Sequence, residues 1–265
     1  MVNIATLVKL SLNLNLLKIE SDGRVNTADT QLAISEYDKN AIEEAIRIKE
    51  KHGGKIVCVS ALTWGPVNKK ISDAERILRE VLALGVDEAH FIIDDVLDNC
   101  TPLETSLALA SLIRKLGNFD LFIAGESSMD ISNSQIPARI ASILDIPFVT
   151  YVRKVEISGN NLILQREMPN GIETVEVPMP AVISVTGEIN QPRLPTLRQI
   201  LQSKNKPLMK YTLKDLGINL NAKLMKQRIE IRPVVRKNII YEGGNLEEIA
   251  QKLVDNLIQE GVIKA

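Results

Sequence analysis

Short apolar runs alternate through the first half of the chain with segments whose apolar residues recur at i, i+3 and i+4, the pattern of a parallel sheet with crossover helices. Residues 3–8, 55–60, 89–93 and 121–124 are β-branched or aromatic-containing runs that read as strands buried on both faces. Three helices between them carry start and stop signals. Ser35-Glu36-Tyr37-Asp38 opens the first, with Ser35 placed to cap free N–H groups; Ala41, Ile42, Ala45, Ile46 and Lys49 form its spaced face and Gly53-Gly54 ends it. Ser72-Asp73-Ala74-Glu75 repeats the capping box ahead of Ile77, Leu78, Val81 and Leu82, and Gly85 offers a left-handed stop. Thr101-Pro102-Leu103-Glu104 starts the third, where proline at the first helical position loses nothing by lacking an N–H, and the apolar face runs through Leu107 and Ala110 to Leu116.

From Phe148 the period shortens to that of strands. Residues 149–157 and 162–167 flank Ser158-Gly159-Asn160, and a second turn at Asn170-Gly171 leads into 173–177, which predicts an antiparallel hairpin insertion. The apolar run after Pro180 reads as a strand returning to the buried sheet, so residues 1–205 form one α/β domain. Residues 204–236 mix charge, Asn and proline before a last helix through Leu246, Ile249, Ala250, Leu253, Val254 and Leu257. That composition predicts an extended arm over 206–265 that ends in a docked helix.

The bulk numbers narrow the function. With 265 residues, 45% hydrophobic, the chain is long enough to bury about three quarters of its unfolded surface. Its 32 Lys and Arg against 33 Asp and Glu leave no global field for a polyanion, so nucleic acid is not an expected partner. Apolar runs such as 181–185 fall far short of the roughly 20 residues that span a bilayer, and the N-terminus lacks a signal-peptide pattern, so a cytoplasmic protein is expected. Cys58 and Cys100 lie outside any CxxC or Cys/His cluster, and His52 and His90 have no acid or nucleophile at motif spacing, so metal, disulfide and triad chemistry are not expected.

In a doubly wound sheet, ligands collect beyond the carboxyl ends of the strands, which directs attention to the segments after Val8, Ser60 and Ala124. The last of these, Gly125-Glu126-Ser127-Ser128-Met129-Asp130-Ile131-Ser132-Asn133-Ser134-Gln135, offers many hydroxyl, amide and backbone donors before the helical pattern Ile136, Ile140, Ile143 and Leu144. Ser134 stands where a cap belongs, and the positive end of the helix dipole suits a phosphate; a plain connection is the competing reading. There is no GxGxxG after a strand, no GxxxxGK[ST], no SGGxDS-like segment and no GxSxG, which disfavours a standard dehydrogenase, a P-loop hydrolase and an adenylating enzyme.

Four stretches resemble the electron-transfer flavoprotein beta family. The helix entry from Ile34 to Ala45 is similar to its "N-x-x-D-x-x-A-x-E-x-A" entry, and Gly125, Asp130 and Gln135 fall at the positions of its nucleotide loop "G-x-x-x-x-D-x-x-x-x-Q". Pro180-Ala181-Val182 through Asn190-Gln191-Pro192-Arg193-Leu194-Pro195-Thr196-Leu197 resembles "LPAV…NxPRxPxL", and Tyr241-Glu242-Gly243 with the closing helix is similar to the family's C-terminal arm. The resemblance implies a Rossmann-like three-layer sandwich of the adenine-nucleotide-binding superfamily type, with residues 206–265 docking on an alpha subunit. It implies a heterodimer in which the alpha subunit holds the redox FAD while this chain holds AMP, or a second FAD as in electron-bifurcating members. Such a pair is an electron carrier rather than an enzyme by itself, passing electrons from dehydrogenases to a quinone reductase or another acceptor. The alternative is an adenine-nucleotide-binding enzyme of similar fold, adenylating or ATP-hydrolysing. By the family pattern Leu7, Val8, Lys9, Ser35, Asp38, Gly125, Ser128, Asp130, Ser134, Gln135 and Ile136 surround the nucleotide, with phosphate at the last three, and Arg193, Leu194, Pro195, Thr196 and Leu197 dock on partners. Ser35 stands where many relatives have Asn, Glu126-Ser127-Ser128 replaces "KQA" and Pro137 replaces Gly, which brings the loop closer to the subgroup of nitrogen-fixation and carnitine gene clusters and leaves AMP and FAD both open.

Overall fold

The computed structural model describes residues 1–221, 228–231 and 236–264. The chain divides into two units, Met1–Glu230 and Ile231–Ala265.

In the first unit the elements follow one another as β1 (Ile4–Leu7), β2 (Leu10–Leu12), β3 (Leu32–Ile34), α1 (Glu36–His52), β4 (Ile56–Ala61), α2 (Val67–Leu84), β5 (Glu88–Ile92), α3 (Pro102–Leu116), β6 (Leu121–Gly125), α4 (Ile136–Leu144), β7 (Phe148–Ser158), β8 (Asn161–Met168), β9 (Gly171–Pro178), β10 (Ala181–Val185), α5 (Leu197–Ser203) and β11 (Leu208–Tyr211). The sheet order is β11-β5-β4-β1-β6-β10-β7-β8-β9, parallel from β11 to β7 and antiparallel in the β7–β8–β9 hairpins. β10 lies between β6 and β7, the return to the sheet that the apolar run after Pro180 predicts.

Because the central strands are covered on both faces, their residues alternate between two apolar layers. Ile4, Ile56, Cys58, Phe91, Leu121, Ile123 and Ile183 pack with Ala41, Ile42, Ala45 and Ile46 of α1 and Ile77, Leu78, Val81 and Leu82 of α2. Ala5, Leu7, Val57, Val59, Phe122, Ala124 and Val182 pack with Ala108, Leu109, Leu112 and Ile113 of α3 and Ile140 and Ala141 of α4. The result is the expected three-layer α/β sandwich. Burial pushes the Cys58 thiol far up, so it behaves as a small hydrophobe.

Several local expectations change. Ser72 lies inside α2, which begins at Val67. The reason is tertiary: the side chains of Asp98 and Asp95 accept from the N–H groups of Gly65 and Val67, at 3.0 and 3.1 Å, so the helix start is satisfied by a distant segment instead of a local serine. Asp73 of the apparent capping box instead accepts from Leu32 N–H and pairs with Arg76. Ser35 does occupy the N-cap position of α1, yet its hydroxyl makes no cap bond and is buried without a partner among the described residues. Thr101 and Glu104 form the expected capping box, but α3 buries Ala108, Leu109, Leu112 and Ile113 and leaves Leu107 exposed.

The sequence places the domain boundary near 205. The first unit runs on to Glu230, and β11 adds a parallel strand beside β5, with Leu208 packing on one apolar layer and Tyr211 on the other. Part of the arm, residues 222–227 and 232–235, falls outside the described residues. In the second unit α6 (Leu246–Gln259) is capped by Asn245, which accepts from Glu248 N–H at 2.9 Å; Leu246, Leu253, Val254 and Ile258 lie exposed along it. No helix among the described residues is long and apolar enough to cross a membrane.

Candidate functional site

Three strands, β1, β4 and β6, end together at the carboxyl edge of the sheet, and a cleft of about 190 Å³ opens above them. That is room for about six waters, more than an ion or one buried solvent molecule needs. Leu7, Val8 and Lys9 line it from the end of β1, Ala61 and Thr63 from the end of β4, Thr105 and Leu109 from α3, and 124–128 with 133–137 from the loop after β6 and the start of α4. Most of the wall is apolar; the polar groups cluster on the loop after β6.

The loop is held by two buried carboxylates that follow from its sequence. Asp38, in the first turn of α1, accepts Lys9 N–H at 2.9 Å on one oxygen and Gly125 N–H at 3.3 Å on the other. It thereby ties the loop after β1 to the loop after β6. Burial pushes the Asp38 carboxyl up to about 7, against the pull of those two N–H groups and of the Lys9 ammonium. Gly125 is required here: a Cβ would sit 2.7 Å from Tyr37 Cβ and 2.8 Å from Asp38 Oδ1. Asp130 is the second strut. It takes Lys9 Nζ at 2.6 Å, Leu12 N–H at 3.1 Å and the indole N–H of Trp64 at 2.8 Å. Burial alone raises its carboxyl, but Lys9, Ser128 and Trp64 hold it below the usual carboxylate range. Lys9 Nζ also donates to Ser128 Oγ at 3.1 Å and lies 5.9 Å from the Trp64 ring centroid.

At the other end of the loop Ser134 adopts φ 51° and Gln135 φ −104°, ψ −31°. A left-handed residue followed by a right-handed one turns successive backbone N–H groups into one concavity, the anion-binding nest. The N–H groups of Ser134, Gln135 and Ile136 have no acceptor among the described residues, and they stand at the N-terminus of α4. Gln135 rather than Ser134 holds the N-cap position, with no side-chain cap bond, because the left-handed turn at Ser134 places it one residue outside the helix. The Gln135 side-chain Oε1 accepts from Arg139 Nε and Nη2 at 3.1 and 2.9 Å, which leaves its side-chain NH2 as a donor. Glu126, also on the cleft wall, is held above the usual range by burial and by Glu188 and Glu167.

Of the residues expected around a nucleotide, Leu7, Val8, Lys9, Asp38, Gly125, Ser128, Ser134, Gln135 and Ile136 line this cleft. Ser35 and Asp130 do not line it; Ser35 is buried beneath the start of α1, and both oxygens of Asp130 are engaged in the strut. Thr63, Cys100, Thr105 and Leu109 line the cleft without having been anticipated. The segment after Ser60 carried the one available signal, its position at a strand's carboxyl end; nothing in the periodicity of α3 separates Thr105 and Leu109 from plain core.

Away from the cleft, Arg193 pairs with Glu43 and Glu50 of α1, and the capping box Thr196–Gln199 starts α5. Leu194 and Leu197 stand 89% and 73% exposed, so neither is a core contact of this chain.

Fold and cleft together define a Rossmann-like α/β protein whose candidate site lies at the carboxyl edge of a parallel sheet. The family model described as "Electron transfer flavoprotein domain" matches residues 22–216. The chain is 38% identical over 236 residues, 87% of either chain, to an electron transfer flavoprotein subunit beta of Thermoanaerobacterium thermosaccharolyticum. It belongs to the electron-transfer flavoprotein family, as a beta-subunit member.

Proposed function

We propose that this beta-subunit chain pairs with an alpha subunit, holds an adenine nucleotide in the cleft, and serves in carrying electrons from dehydrogenases to a quinone reductase or another acceptor. The nucleotide is AMP or the adenylate part of a second FAD. The observation that carries this reading is the set of amides at Ser134, Gln135 and Ile136 with no acceptor among the described residues, on residues that line a mostly apolar cleft. An anionic phosphoryl group suits the first and a flat heteroaromatic base the second. The loop and Leu7 to Lys9 would hold the phosphate and sugar, and Ala61, Thr105 and Leu109 would flank the base. Flavin supplies the redox chemistry; the residues of this chain bind, orient and exclude water.

The side chains of the cleft favour holding over reacting. Lys9 is committed to Asp130 and Ser128, and Asp38 to two N–H groups, so these polar side chains brace the loop. Coexpression with an alpha subunit, followed by a count of the FAD and AMP released per heterodimer, tests the reading. Two FAD and no AMP mark a bifurcating arrangement, and one of each marks simple carriage. A heterodimer that releases no nucleotide from this chain, or ATP hydrolysis by the chain alone, overturns it in favour of an adenylating or hydrolysing protein of similar fold.

The segment 194–197 supplies the docking contact in this reading. An exposed leucine with polar neighbours is a suitable anchor for a transient partner. We expect Leu197→Ala to raise the KM for the donor dehydrogenase about tenfold while nucleotide content stays at the wild-type ratio; equal loss of both marks Leu197 as a stability residue.

A further inference from the structure

The Arg193 side chain is occupied. Its Nε donates to Glu43 Oε2 at 2.7 Å, one Nη2 proton to Glu43 Oε1 at 3.1 Å and another to Glu50 Oε2 at 3.1 Å, and Nη1 to Glu50 Oε1 at 2.6 Å. Four of the five donors of the guanidinium are therefore spent inside the chain, in two forked contacts. Glu43 also accepts the Arg193 backbone N–H at 3.3 Å and Arg47 Nε at 2.8 Å, and its side chain is only 4% exposed. The stretch just before is fastened to the same helix. Asn40 Nδ2 donates to Gly187 O and Asn190 O, while Asn190 Nδ2 donates to Asn40 O and Glu44 Oε2. The far end of the projection has its own anchor, since Arg79 Nη1 of α2 donates to Ser203 O and Lys206 O at 2.7 and 2.6 Å.

The segment that exposes Leu194 and Leu197 thus stands between two fixed feet, one on α1 and one on α2. An apolar anchor on a mobile loop loses binding energy to the cost of ordering it, whereas one on a fixed base does not. We infer that Arg193 is a positioning residue: gripped by Glu43 and Glu50, it sets the base of the 194–197 projection and is not itself presented to a partner. This inference rests on the docking reading given above. It assigns Glu43 and Glu50, on a helix distant in sequence, to the same task.

The test uses the full alpha–beta heterodimer with Arg193→Lys, Glu50→Gln and Leu197→Ala. The probe is a flavoprotein dehydrogenase chosen because it reduces the unmodified pair; dithionite is the control reductant. Arg193→Lys keeps the charge and loses both forks, and Glu50→Gln alters a partner whose side chain is 58% exposed. Both are expected to raise KM for the dehydrogenase about tenfold with kcat within about twofold, and to speed exchange of the hydrogen-bonded Thr196 and Ile200 amides by about tenfold. Nucleotide content and reduction by dithionite stay unchanged. Wild-type exchange in both variants, or an unchanged KM where Leu197→Ala raises it, overturns the positioning role. Should Leu197→Ala itself leave KM unchanged, the docking reading fails and this inference with it. A loss of kcat together with nucleotide means that the network only supports the fold, which also overturns the inference.

Discussion

Gly125→Ala lowers the melting temperature by roughly 2–12 °C and empties the cleft of nucleotide, as measured by thermal unfolding and by the nucleotide released from the purified heterodimer. The size follows from the space available. The added Cβ meets Tyr37 Cβ at 2.7 Å, Asp38 Oδ1 at 2.8 Å and the Tyr37 carbonyl carbon at 2.8 Å. One of those is main chain, so rotating a side chain does not relieve the clash; the start of α1 and the end of β6 have to part. Overpacking of this kind costs about 1–3 kcal/mol, and about 2–4 °C accompanies each kcal/mol in a domain of this size. Parting those elements also breaks the Gly125 N–H contact to Asp38 and tilts the loop that carries the free amides. A melt within 1 °C of wild type with nucleotide retained would show that the approach of α1 to β6 is looser than these distances imply.

The second large effect is a dependence on pH that one carboxyl controls. Asp38 titrates near 3.8 when unfolded and is pushed up to about 7 in the fold, chiefly by burial. Through that interval the folded state retains a proton that the unfolded chain has already released. Its contribution to stability is therefore fully present below about pH 4, declines as pH rises through 4–7, and is constant above 7. A separation of about 3 pH units corresponds to about 4 kcal/mol across the window. In Asp38→Asn that titration is gone, while the amide still accepts only one of the two N–H groups, a loss that does not vary with pH. The expected result is that the wild-type advantage over Asp38→Asn, measured by denaturant unfolding, shrinks steadily from pH 4 to pH 7 and then levels. A difference that is flat over this range would place the ionisation of Asp38 at its ordinary value.

The layers of the fold were legible because each strand is a short apolar run and each crossover helix keeps a 3.6-residue stripe. Thr101-Pro102-Leu103-Glu104 is a local signal and forms the local structure it spells. Ser72-Asp73-Ala74-Glu75 is an equally good local signal, yet it lies inside α2, because Asp95 and Asp98, more than twenty residues away, satisfy the helix start. The same distinction divides the site. The loop from Gly125 to Gln135 could be picked out from its position after a strand and its small polar residues. The struts could not, since the partners of Asp38 and Asp130 are backbone groups at Lys9, Gly125 and Leu12, and no periodicity reports which backbone groups converge. Arg193 shows the limit most clearly. Its sequence neighbourhood resembles a docking loop, and nothing in it reports that the guanidinium pairs with Glu43 and Glu50, well over a hundred residues earlier.

The hairpin at the end of the sheet has its own consequence. As the outermost strand of the sheet, β9 has an edge of main-chain donors and acceptors that no strand among the described residues covers, which invites a second extended chain to join. Glu173 and Glu176 are an odd number of residues apart, so they direct negative charge to opposite sides of that strand, and Pro178 removes a donor at its end. Charge on both faces and a proline at the end are devices by which an edge strand discourages a second copy from joining, although Glu173 is itself paired with Arg166.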